Sequence, residues 1–172
     1  MIKPDRWIRR WGAGGGVEPF RPEQVNSASY DVSLGDHWIC PTREPEDLQA
    51  DHFKLFPGEV VLASTREYVR VPRDVACDLK LKSTFGRLWI NHSLAGWCDP
   101  GFEGNITLEL QNLGPEPFVL EAGRRIAQLI FIAMEEEPEI AYGEQGLGSN
   151  YQGQALRLSK HFTSTEGDTA AR

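Results

Sequence analysis

The chain has 172 residues, which suits one domain with a real core. It is 40% hydrophobic and 25% charged, and its net charge of −7 argues against a general nucleic-acid binder, whose affinity comes from Lys and Arg neutralising phosphate. No apolar run approaches the length of a membrane-spanning helix, and the start of the chain lacks an apolar signal-peptide core, so a cytoplasmic protein with no membrane partner is expected. Cys40, Cys77 and Cys98 are far apart, with no CxxC pair and no His-x-Glu before one. Neither a structural zinc site nor the zinc-deaminase signature is expected, and the three read as small core residues.

In chain order, Asp5 to Trp11 reads as a short helix, with Asp5 as its cap and Trp7, Ile8 and Trp11 on one face. Gly12 to Gly16 lacks the Lys-Ser/Thr of a phosphate loop and reads as a flexible connector. Tyr30, Val32 and Leu34 alternate with polar residues, and Gly35-Asp36 is expected to turn the chain before an apolar run at His37 to Cys40. Thr42 to Asp51 is acidic and loop-like. Further strands are expected at Val60 to Ala63, Tyr68 to Val71, Leu79 to Lys82, Leu88 to Ile90, Ile106 to Leu110, Phe118 to Leu120 and Ile126 to Ile132. A second short helix is expected near Thr84 to Arg87. Short strands with recurrent turn pairs predict a mainly β fold, a sandwich or distorted jelly roll with one or two short helices. Residues 1–162 are read as this single domain, with a C-terminal lid over about 143–162 and a small, polar tail without fixed structure at 163–172.

Two segments could carry chemistry. In Asn105 to Gln111, alternation puts Ile106, Leu108 and Leu110 on one face and Asn105, Thr107, Glu109 and Gln111 on the other. Asp99 precedes Glu109, with Pro100-Gly101 between them, and such a turn brings the two carboxylates together. A surface strand with a polar face and a half-buried carboxylate acting as a base both satisfy that spacing. Lys82-Ser-Thr-Phe-Gly-Arg87 gathers a Lys, two hydroxyls and an Arg, which suits phosphate as well as it suits an ordinary helical turn.

Lys82 to Leu88 followed by His92 to Asn112 resembles the dCTP deaminase family of the dUTPase-like superfamily. Supporting pieces stand in the same order at Ser29 to Gly35, Pro57 to Pro72, Gly123 to Leu129 and Tyr151 to Gln154. The resemblance implies a dUTPase-like jelly roll. It implies homotrimers with active sites between subunits and hydrolysis of dCTP to dUTP and ammonia without zinc, feeding dUMP and dTTP synthesis. Mg²⁺ would accompany the triphosphate and no residue would ligate it directly. Glu109 would be the general base and acid, Ser83 and the carbonyl of Ala95 would hold the water, and Arg87 would fix Glu109 or a phosphate. Asp99 would receive the 3′-hydroxyl. Lys82, Thr84, Trp97 and Gln128 would contact the nucleotide, while Tyr142, Tyr151 and Gln154 would close over its triphosphate.

Several positions depart from the family pattern. Asn150 stands where Lys is usual, Ala155-Leu156 replaces Gly-Pro, Leu94 replaces a Thr linked to dTTP inhibition, and Ser33 replaces a common Arg. Lys160 is one residue that could replace the charge missing at Asn150. Gly96-Trp97 is similar to bifunctional members, which convert dCTP to dUMP, ammonia and diphosphate. That is the main alternative; a plain dUTPase, which would lack the Leu-Glu-Leu strand, and a non-catalytic nucleotide sensor are the others.

Overall fold

Alternating apolar and polar side chains become antiparallel strands in the computed structural model of the chain, which describes residues 1–92 and 95–156 (of 44–46 the backbone alone). The elements are α1 (Asp5–Trp11), β1 (Val17–Glu18), β2 (Tyr30–Cys40), β3 (Glu44–Gln49), β4 (His52–Leu55), β5 (Val60–Arg70), β6 (Val75–Leu81), α2 (Ser83–Gly86), β7 (Ile90–Asn91), β8 (Trp97–Cys98), β9 (Glu103–Asn112), β10 (Phe118–Glu121) and β11 (Arg125–Ala133). One sheet runs β7-β9-β5-β2-β11-β6-β8, with β1 beside β5 and β3 beside β2, while β4 and β10 pair apart. The start of β2 pairs with β11 and its remainder with β5, so this strand joins the two halves of a curled, jelly-roll-type sheet. Tyr30, Val32, Leu34 and Trp38 of β2 are fully buried, as are Leu108 and Leu110 of β9 and Leu129 and Phe131 of β11. Each such side chain contributes about 1.5–3 kcal/mol of transfer free energy.

The mainly β architecture agrees with the sequence, but several local expectations do not. Gly35-Asp36 does not turn the chain, because β2 continues through it to Cys40. The pairing instead slips, from Leu34 opposite Thr65 to Trp38 opposite Ala63, which marks a bulge. The two strands expected within 60–71 are one strand, with a second slip between Ser64 and Tyr68. Buried polar groups replace the interrupted ladder there. Thr65 Oγ1 donates to the Glu67 carbonyl at 2.8 Å and accepts from Ile106 N–H at 2.9 Å. Glu67 accepts from Ser33 N–H at 2.8 Å.

The acidic segment expected as a loop forms β3, a hairpin partner of β2. Pro4, not Asp5, is the N-cap of α1; Asp5 lies in the first turn, where its charge favours the helix dipole. Gly12 to Gly16 is not a slack connector but a π-type turn continuing α1. The rings of Phe20 and Trp11 occupy the space that a Cβ would take at Gly12 and Gly16. Of the strand expected at 88–90 only Ile90 falls in a strand, β7, because Trp89 has φ +62°. All three cysteines are buried and free. Leu94, Lys160, residues 157–162 of the expected lid and the expected tail at 163–172 lie outside the described residues.

Candidate active site

Strand β9 carries the polar face that the sequence singled out. Ile106, Leu108 and Leu110 are buried in the core, while Thr107 and Glu109 are half-buried on the opposite face. That face is the wall of a cavity of about 400 Å³ rather than an open surface, a volume that suits a small-molecule ligand. Ala95, Trp97, Asp99, Glu109, Tyr142, Tyr151 and Gln154 all line it. The turn at Pro100-Gly101 does bring Asp99 to the same cavity as Glu109. Trp97 Nε1 donates to Asp99 Oδ1 at 3.0 Å, so the carboxylate is held by one oxygen.

The segment after Pro138 is seated at the mouth of this cavity in its own chain. Tyr142 packs against Phe102 with centroids 5.8 Å apart, and its hydroxyl accepts from Tyr151 N–H at 2.9 Å. Gln154 bonds twice to Asn105, giving its carbonyl to Asn105 N–H at 2.9 Å and its side-chain amide to the Asn105 carbonyl at 3.1 Å. Gly104 makes this approach possible: its φ is +151°, and a Cβ there would lie 3.1 Å from Gln154 N. Arg73 anchors the base of the segment through Glu137, Glu144 and the Pro138 carbonyl.

The other expected residues lie away from this cavity. Phe85 anchors α2 in the core, leaving Ser83, Thr84 and Arg87 exposed. Lys82 Nζ donates to the buried Asp31 at 2.6 Å, which occupies its charge within the fold. Gln128 on β11 accepts a hydrogen bond from Ser29 Oγ at 3.3 Å. Within one chain, then, the carboxylate wall and the exposed hydroxyl-and-guanidinium turn are separate.

Electrostatically, Glu109 stands out. Burial raises its carboxyl above the ordinary range, only partly opposed by its own backbone N–H. Residue-by-residue reading passed over His92, Leu62, Cys98, Phe102 and Ile106. The last four line the cavity beside Glu109, and Leu62 is its register partner on β5. For Leu62 the missing signal was cross-strand register, which a single sequence does not display. His92 is buried with its Nδ1 3.6 Å from Glu109 Oε2.

A curled dUTPase-type sheet with a nucleotide-sized cavity walled by two carboxylates defines a narrow class, and sequence comparison agrees with it. The family model for dCTP deaminase-like proteins matches residues 2–134, and the chain belongs to that family. It is 41% identical to the dCTP deaminase, dUMP-forming, of Corynebacterium kroppenstedtii over 90% of this chain and 93% of that one. It is 40% identical to the protein of the same name from Thermobifida fusca, over 98% of this chain and all of its relative. Among solved structures, the 2′-deoxycytidine 5′-triphosphate deaminase of Agrobacterium tumefaciens aligns with TM-score 0.66 at 23% identity, over 76% of this chain and 48% of that one. The dUTPase of EIAV aligns at 0.51 and 18% identity. These last two similarities establish the shared fold.

Proposed function

We propose that the chain hydrolyses dCTP to dUMP, ammonia and diphosphate, with Glu109 as the proton shuttle of the deamination. The observation that carries this reading is a half-buried carboxylate, held protonation-prone by burial, on the wall of a nucleotide-sized cavity. Glu109 takes a proton from water as the oxygen bonds to C4 of cytosine. It returns that proton to the departing amine, so the base and the acid are one group. A carboxyl whose affinity for protons is raised serves both halves of such a cycle near neutral pH. Asp99, bonded to Trp97 by one oxygen, has the other available for the sugar 3′-hydroxyl. A second water then attacks the α-phosphorus and diphosphate leaves. Relatives 38–41% identical to the chain are named as dUMP-forming dCTP deaminases, which favours dUMP over dUTP as the product.

Ser83, Thr84 and Arg87 fit this chemistry as contributions to a neighbouring copy's cavity. They are exposed on α2 and outside their own chain's cavity, which supports a homotrimer with active sites between subunits. Among the described residues no group of three His, Cys, Asp or Glu side chains could hold a metal ion. Mg²⁺ would arrive on the triphosphate oxygens and offset phosphate charge there.

The test is chromatography of products from dCTP and from dUTP with Mg²⁺. Intact protein is expected to give ammonia and dUMP from dCTP, and Glu109→Gln to release at least about a thousandfold less ammonia. Accumulating dUTP would reduce the reading to deamination alone, and unreacted dCTP would remove it.

A further inference from the structure

His92 is the residue beside the proposed shuttle to which no role has been given. Its side chain is 1% exposed, yet neither ring nitrogen has a hydrogen-bond partner among the described residues. Glu109 Oε2 is likewise enclosed and unpartnered, and it is the atom that His92 Nδ1 faces at 3.6 Å. Burying polar atoms unpaired is costly, so three on two neighbouring side chains need an explanation beyond packing. The separation exceeds a hydrogen bond by about a few tenths of an ångström, a gap that a small rotation of either side chain closes.

We propose that His92 is a positioning residue for Glu109: its Nδ1–H holds Oε2 and leaves the other carboxylate oxygen for water and the cytosine amine. This rests on the proposed deamination. His92 enters as a neutral donor, since burial above all, with a smaller contribution from Lys80, keeps the imidazole uncharged against the pull of the Glu109 backbone. The other titratable groups that line the cavity with Glu109 are Asp99, the Cys98 thiol and the phenols of Tyr142 and Tyr151. None of them reaches the enclosed Oε2. A neutral donor there stabilises the carboxylate without adding a charge that would block its protonation in the second half of the cycle.

The experiment compares His92→Asn, whose amide nitrogen takes the place of Nδ1, with His92→Phe, which fills the volume and donates nothing. The Glu109 carboxyl is titrated by carbon-13 NMR without substrate, and kcat for ammonia release is followed against pH. In His92→Phe the Glu109 titration and the acid limb of kcat are expected to move up by about one pH unit, with kcat near neutrality down about tenfold. His92→Asn is expected to restore both. An unmoved Glu109 titration in His92→Phe, or a limb displaced equally in both variants, would overturn the proposal. Failure of the intact protein to deaminate dCTP would instead overturn the proposed function, while the NMR titration still decides the contact.

Discussion

Glu109 concentrates a conflict between stability and activity in one side chain. Its folded-state carboxyl lies above the ordinary range, so the folded protein keeps this proton to a higher pH than the unfolded chain does. Stability from this group is therefore greatest at low pH, and it declines as pH rises from the ordinary carboxylate value through the folded one. Above that window the buried charge is a standing cost. Glu109→Gln removes the charge and keeps the shape. It is expected to melt at a higher temperature than the parent at about pH 8, with the gap closing at about pH 4. Thermal melts followed by circular dichroism at the two pH values measure this. A parent as stable as the variant at pH 8 would contradict the strained carboxylate.

Among the elements, β9 and the segment it receives do the most. Its alternation both fills the core and presents Thr107 and Glu109 to the cavity. Its first residues pair with Gln154 through a glycine that has no Cβ to obstruct them. Substituting Gly104→Ala puts a side chain into a backbone region that is nearly glycine-only, at a cost of about 1–3 kcal/mol. Because the affected contact is with the 141–154 segment, the larger effect is expected on KM for dCTP, raised several-fold, with cavity residues unmoved. Steady-state kinetics beside a thermal melt separate these two effects. The alternation of β9 was legible in sequence because the extra residues of the bulge lie on β5, so β9 itself keeps a period of two. Strands β2 and β5 were misread as pairs because their bulges put Gly35 and the polar run from Ser64 to Glu67 where turns are usual.

At the scale of the whole molecule, the expected site falls into two parts that one chain does not join. The carboxylate wall belongs to one cavity, while the exposed turn bearing Ser83 and Arg87 faces outward beside exposed Leu88 and Trp89. If trimers join the parts, Glu109→Gln and Arg87→Ala damage different halves of each site. Mixed trimers refolded from the two inactive variants are then expected to recover a measurable fraction of parent activity, up to about a quarter of sites in a random mixture. Light scattering on the same samples reads the assembly. Mixed trimers with no recovered ammonia release would place both residues in one subunit's site.

Taken alone, the sequence pointed to the class of fold, the polar face of β9 and the shared neighbourhood of Asp99 and Glu109. Each depends on local periodicity or on a turn between near neighbours. Tertiary structure alone decided that the polar face is a cavity wall, that Lys82 is engaged by Asp31, and that His92 meets Glu109. Those relations join residues far apart in the chain or across a bulged register. Burial, which sets the chemistry of a carboxylate, arises only when the sheet has curled around it.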